Sequence, residues 1–155
     1  KHAMLAERQA GVQRIPLDPW IEVDRVGLVR LGDINRRAVT QPKLPVPGRE
    51  SAHYRPDVIV TCTPGPKGHA TPSVVVEVLS PTTKDYDRGT KLEDYQEIAS
   101  VAEILLVASD RRRVRRWERD GARWVVQAFV GSSAVPLPSL GIELPLEELY
   151  AGLEL

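Results

Sequence analysis

The chain has 155 residues, and its 21 Lys and Arg side chains cancel its 21 Asp and Glu side chains, so net charge selects neither nucleic acid nor a membrane as partner. One cysteine, Cys62, excludes an internal disulfide and a multi-thiolate zinc site, and three histidines (His2, His53, His69) argue against a His-rich site. Apolar runs fall short of the roughly 18 residues of a membrane span and no signal peptide is visible, which predicts a cytoplasmic protein without membrane contact.

The length fits a single domain, residues 1–155, able to bury roughly two-thirds of its extended-chain surface. Signals are weak over residues 1–50. Met4 to Gly11 reads as a short, partial helix, and between Val12 and Val39 the groups Ile21 with Val23, and Leu28 with Val29 and Leu31, read as irregular strands. Gln41 to Ala52 contains Pro42, Pro45, Pro47 and Gly48, which predicts an exposed loop without ladder hydrogen bonds.

Residues 55–108 read as the core. Asp57 to Cys62 is predicted as a strand and Thr63 to Pro72 as a loop, while Ser73 to Leu79, nearly all valine apart from Glu77, has the pattern of a strand buried on both faces. A helix follows, capped by Thr83 or Asp85 and weakened by Gly89. Leu92, Tyr95, Ile98 and Ala99 form its apolar face, and it should end near Ser100. Glu103 to Ala108 is a further apolar strand, so strand, helix and strand make a βαβ unit with parallel strands.

Over residues 112–155, Val114 to Glu118 and Arg123 to Val130 flank Asp120-Gly121, a two-residue hairpin signal. Ala134 to Glu143 is expected as one short strand and Leu146 to Tyr150 as a terminal helical turn. The fold class is mixed α/β, with a partly parallel sheet around the βαβ unit, flanking helices and a C-terminal hairpin.

Two carboxylates interrupt apolar β-branched runs: Asp57 in Tyr54-Arg55-Pro56-Asp57-Val58-Ile59-Val60, and Glu77 in Ser73-Val74-Val75-Val76-Glu77-Val78-Leu79-Ser80-Pro81. Burying an isolated carboxylate costs several kcal/mol, so the pair implies a shared counter-ion, most simply a divalent metal. Glu77 lies near the carboxyl end of its strand, where open α/β sheets place their sites. Asp57, Glu77 and the backbone carbonyl of Val78 form the all-oxygen set suited to a hard cation, magnesium or manganese. Such an ion lowers the pKa of bound water and offsets charge developing on a phosphate. Lys91, one or two turns into the following helix, is the candidate to orient water or stabilise an oxyanion.

Each residue also has an ordinary reading. Pro-Asp before a strand is common, a buried glutamate serves salt bridges, and Lys91 stands four residues after Asp87, the spacing of a helix ion pair. The combination is more specific than any member.

Three segments in order, Arg-Pro-Asp-Val-Ile-Val from residue 55, Pro-Ser-Val-Val-Val-Glu-Val-Leu-Ser-Pro-Thr-Thr from residue 72, and Asp-Tyr-Asp-Arg-Gly-Thr-Lys-Leu-Glu-Asp-Tyr from residue 85, resemble the bacterial Uma-type restriction endonuclease family. That family belongs to the PD-(D/E)XK, restriction-endonuclease-like superfamily. The resemblance is dense from Arg55 to about Val107 and continues to Leu137-Pro138-Ser139-Leu140-Gly141-Ile142, which is similar to the family's closing strand. It implies a restriction-endonuclease-like fold and metal-dependent hydrolysis of DNA phosphodiester bonds, with Mg or Mn as cofactor. Asp57 matches the first acidic position and Glu77 the second, both implied metal ligands. The superfamily's lysine position is occupied by Leu79, and the resemblance moves that role to Lys91. Related chains begin with an additional segment and a longer helix. This sequence starts at what resembles the end of that helix, where Glu7 is the only carboxylate. These departures make an inactive nuclease-fold module, binding nucleic acid or a protein, the alternative.

Arg111, Arg112, Arg113, Arg115, Arg116, Arg119 and Arg123 crowd the hairpin, with Trp117 and Trp124 interleaved. Such a patch can grip a phosphate backbone and stack a base, with Arg115 and Arg116 as the expected DNA contacts. Alternation sends these side chains to both faces, and Asp110, Glu118 and Asp120 dilute their charge, so a solvated hairpin is the favoured ordinary reading. A third class is a structural or interaction protein, such as a homodimer through the hairpin, in which both carboxylates form internal ion pairs. Trp20 and Tyr54 read as packing residues, Cys62 as a small buried hydrophobe, and His69 as a loop residue.

Overall fold

A computed structural model describes residues 14–15, 21–23, 28–31, 37–40, 42–61, 71–80 and 89–155. The expected helix at Met4 to Gly11, Glu7, Trp20, Cys62, His69, Thr83, Asp85 and Asp87 lie outside the described residues.

Among the described residues, nine strands form one sheet. Four come from the first forty residues: β1 (Arg14–Ile15), β2 (Ile21–Val23), β3 (Leu28–Leu31) and β4 (Arg37–Thr40). They pair as an antiparallel meander that joins β7 (Val58–Thr61). Beyond β7 lie β8 (Pro72–Leu79), β9 (Glu103–Ala108), β10 (Arg113–Asp120) and, at the far edge, β11 (Arg123–Val130). Helix α1 (Thr90–Gln96) connects β8 to β9, which pair in parallel. The expected βαβ unit therefore stands at the centre of a mixed sheet.

The segment expected to be a loop is a hairpin. Strands β5 (Leu44–Val46) and β6 (Arg49–Tyr54) pair antiparallel in a two-stranded sheet. Leu44 and Val46 are buried on either side of half-buried Pro45, so period-two alternation outweighs the proline count. Pro47-Gly48 supplies the turn, with Gly48 at φ +73°, a conformation glycine adopts without a Cβ penalty.

The C-terminal region also differs from expectation. Ala134 to Glu143 contains two strands, β12 (Ala134–Leu137) and β13 (Ile142–Pro145), paired antiparallel. The turn between them is closed by Leu140 N–H on the Leu137 carbonyl (3.0 Å) and Gly141 N–H on that of Pro138 (3.1 Å). Helix α2 (Leu146–Leu149) follows. Buried Glu103 holds the turn by accepting from the backbone N–H (2.9 Å) and the hydroxyl of Ser139.

Side-chain alternation divides the core in two. On one face of the sheet, Val58, Val60, Val74, Leu105, Val107, Val114 and Phe129 pack under β12, β13 and α2. On the other, Ile59, Val75, Leu79, Ile104 and Leu106 pack with Leu92 and Tyr95 of α1 and with Leu44 of β5. The tip of β10 ties this second face to α1. Arg119 donates from Nε to the Val101 carbonyl (2.8 Å) and from Nη2 to those of Gln96 (3.0 Å) and Ile98 (2.9 Å). Its guanidinium also lies 4.5 Å from the Trp124 ring centroid. Helix α1 closes at Gln96, four residues before the expected Ser100, and Arg119 satisfies carbonyls left over at and beyond that end. No helix among the described residues is long and apolar enough to cross a membrane.

Candidate functional site

Strand register brings the two carboxylates together. Val58 pairs with Val76 across the antiparallel β7–β8 ladder, so Asp57, one residue before β7, arrives opposite Glu77 on the α1 face. Asp57 Oδ2 accepts the backbone N–H of Val78 at 2.7 Å. The neighbouring Leu79 carbonyl turns the other way, toward β9, where it accepts the N–H (3.2 Å) and hydroxyl (2.8 Å) of Ser109. Along a strand successive residues bond to opposite neighbours. The Val78 carbonyl therefore points to the same side as its N–H, toward Asp57.

Glu77 is 3% exposed. Lys91 Nζ lies 2.5 Å and Tyr95 Oη 2.6 Å from the same oxygen, Oε1. Burial pushes the Glu77 carboxyl above the ordinary carboxylate range; the bonds from Lys91 and Tyr95 oppose this rise, and the nearby Asp57 charge adds to it.

Lys91 is the second residue of α1, in its first turn rather than one or two turns in. A cation there opposes the helix dipole, and its ion pair with Glu77 offsets that. The ammonium also lies 5.7 Å and 5.9 Å from the ring centroids of Tyr54 and Tyr95, within cation–π range. Those rings meet edge to face, 5.6 Å apart at 74°. Tyr54 Oη donates to Asp94 Oδ2 at 2.6 Å, and Arg49 lies 3.6 Å from that oxygen. The β5–β6 hairpin thus forms one wall of the site.

Asp57, Glu77, Val78 and Lys91 are brought together as the sequence suggests. Tyr54 and Tyr95, which read in the sequence as packing residues, also bring hydroxyls to the site. A signal was present for Tyr95, which follows Lys91 by four residues and so shares its helix face.

Among the described residues no group of three or more His, Cys, Asp or Glu side chains could hold a metal. The available donors are two carboxylates and a carbonyl, all hard oxygens. That set fits a magnesium-like ion, which keeps several of its own waters, and does not fit a cation that needs a full protein cage.

The arginine patch divides between the two faces. Arg116, expected at DNA, is 7% exposed and turns to the β12–β13 side. It donates from Nη1 to the Pro136 carbonyl (2.6 Å), pairs through Nη2 with Glu118 (2.5 Å), and lies over Phe129. Burial and these partners withdraw it from the surface, because its parity along β10 sends it to the core face. Arg115 has the opposite parity. It pairs with Leu106, which pairs with Glu77, so Arg115 stands in the same cross-strand row and on the same face as the carboxylates.

A family profile, Uma2, described as a putative restriction endonuclease, matches residues 17–147. The chain belongs to the Uma2 family. A curated relative, the uncharacterized protein slr1290 of Synechocystis sp., is 34% identical over 103 residues, covering 63% of this Uma2 chain and 54% of the relative. The chain thus spans about half the length of that relative. The crystal structure of a putative nuclease belonging to DUF820 from Anabaena variabilis superposes with a TM-score of 0.58 at 16% identity, covering 77% of this chain and 70% of that one. At that identity the likeness concerns the fold, and it agrees with the mixed α/β class expected from the sequence. The Uma2 match includes the β7–β8–α1 segment that carries Asp57, Glu77 and Lys91.

Proposed function

We propose that this chain is a metal-dependent endonuclease acting on DNA, with Asp57, Glu77 and the Val78 carbonyl as ligands of a magnesium or manganese ion. The observation that carries the reading is the meeting of Asp57 and Glu77 on one sheet face, with a lysine bonded to the second. Membership of a family described as a putative restriction endonuclease supports the reaction class.

When bound, the ion would supply a more acidic water and offset charge on the attacked phosphate. The chain's own residues prepare the site. Tyr95 and Lys91 hold Glu77 by Oε1, which leaves Oε2 for a cation. Asp57, oriented through Oδ2 by the Val78 N–H, offers Oδ1. Lys91, steadied between two tyrosine rings, keeps a positive charge beside the reacting phosphate. Arg115, in the Glu77 row, stands where a flanking phosphate of DNA would pass.

Titration calorimetry with magnesium or manganese, and cleavage of plasmid DNA, test the proposal. Saturable ion binding that is lost in Asp57→Asn and in Glu77→Gln is the expected result; unchanged binding in both removes the site.

The 2.5 Å contact between Lys91 and Glu77 favours a second reading, in which this is a structural ion pair in an inactive nucleic-acid-binding or interaction module. Lys91→Met separates the two. The enzyme reading expects cation binding without cleavage, whereas the module reading expects no cleavage by the unaltered chain and only a stability loss.

A further inference from the structure

We propose that a second copy of this chain pairs antiparallel with the open edge of β11, about a two-fold axis at Gln127, joining the two sheets into one. Among the described residues, β11 is the last strand of the nine-stranded sheet, with β10 on one side and no strand on the other. Its bonding parity is fixed by the hairpin: Arg123 pairs with Asp120, and Gly131 N–H still reaches the Arg112 carbonyl (3.4 Å). Odd-numbered residues therefore bond to β10, and the N–H and C=O groups of Trp124, Val126 and Ala128, with the N–H of Val130, face outward. The Val130 carbonyl is taken by Ser133, through its N–H (3.3 Å) and hydroxyl (2.7 Å), and this marks the end of the open stretch.

Edge strands are ordinarily protected by charges, prolines, bulges or a covering element. From Trp124 to Val130 this edge has none of the first two, and its pairing with β10 is regular without a bulge. It exposes Val125 at 51%, Val126 at 48% and Val130 at 57%.

A second copy fits this edge because the strand is self-complementary in one register. With Gln127 opposite Gln127 of the second copy, Trp124 faces its Val130, Val125 its Phe129, and Val126 its Ala128. Outward-bonding residues then meet outward-bonding residues, and all three exposed valines gain an apolar cross-strand neighbour. The two glutamines can exchange side-chain hydrogen bonds. Arg123, already paired with Asp120 at 3.0 Å, meets Gly131 of the second copy, so no like charges are opposed. An isologous contact of this kind closes on itself, consuming the edge that would otherwise continue to grow. Residues opposite one another share a face, so both Glu77 sites would lie on the same side of the joined sheet. One strand pair is a small interface, below about 1,200 Å², so the dimer should dissociate on dilution.

Sedimentation velocity over a concentration series tests the association. The unaltered chain is expected to shift from monomer to dimer, and Val126→Pro, which removes an N–H that faces away from β10 in each copy, is expected to weaken the dimer at least about tenfold through two lost hydrogen bonds while leaving the circular dichroism unchanged. A chain that is still monomeric at ~0.5 mM, a concentration at which any dimer with a dissociation constant of about 0.1 mM or tighter is mostly assembled, overturns the proposal. The register has its own test. Gln127→Cys should form a covalent dimer on mild oxidation, since directly opposed non-hydrogen-bonded positions lie within disulfide reach, and the unaltered chain under the same conditions controls for Cys62. A Gln127→Cys chain that dimerises reversibly yet never cross-links overturns the stated pairing.

Discussion

The carboxylate of Asp57 accepts the backbone N–H of Val78 at 2.7 Å, so one candidate metal ligand is oriented by the residue whose carbonyl is the third. Shortening the side chain therefore affects more than charge. Asp57→Ala leaves the Val78 N–H without its acceptor, and at this part-buried position the loss should be about 1 kcal/mol, the low end of the range for an unmet buried donor. Asp57→Asn keeps an acceptor oxygen and should lose less than half as much. Urea unfolding of the two variants provides the measurement, and equal losses would show that the bond contributes nothing.

Tyr95 delivers its hydroxyl to Glu77 from a ring that is 1% exposed. Tyr95→Phe preserves the packing and removes one hydrogen bond to a charged group, with an expected cost of about 1.5–3 kcal/mol. The same change frees Oε1 of one partner, so it should raise the Glu77 pKa further. Carboxylate titration by NMR would detect that rise, which a purely packing role would not produce.

Glu77 also predicts a pH dependence of stability. Its folded pKa is raised by burial, so the folded state holds this proton more tightly than the unfolded chain. The contribution to stability is full below the ordinary glutamate pKa and is lost as pH rises through the folded value. In Glu77→Gln that slope disappears. With divalent ions removed, the stability of the unaltered chain relative to Glu77→Gln should fall as pH rises from the ordinary glutamate value, about 4.3, toward neutrality. A relative stability that climbs over this range would reverse the assignment and make Lys91 the dominant influence.

Arg119 satisfies three carbonyls around the end of α1. Arg119→Ala is expected to cost at least about 2 kcal/mol through charge-assisted bonds lost at a part-buried site. Arg119→Lys should recover little, because a single ammonium cannot reproduce the planar fork. Hydrogen exchange at Gln96 to Val101, compared with β8, would localise the effect; uniform loosening of the whole domain would contradict it.

Much of the architecture is written locally. Valine-rich runs and the interposed helix specify β8, α1 and β9, since a strand buried on both faces must be apolar at nearly every position, and a crossover helix must follow for the strands to run parallel. Asp57 and Glu77 stand out for the same reason, as charges where the pattern forbids them. Gly121, at φ +59°, marks the β10–β11 turn, although the pairing of Asp120 with Arg123 makes Gly121-Ala122 the loop rather than Asp120-Gly121.

Other features depend on contacts between distant residues. The β5–β6 hairpin overcame its prolines because Leu44 and Val46 found a core to enter, and no local propensity records that core. Arg115 and Arg116 are adjacent and identical in sequence, but strand parity sends one toward the Glu77 row and the other beneath β12. Residue order alone required two carboxylates and a lysine to be reconciled with an apolar α/β core. The means came from long-range contacts: register set Asp57 opposite Glu77, and α1 lowered Lys91 and Tyr95 onto a single oxygen, because burial leaves a charge no partner except those the fold carries to it.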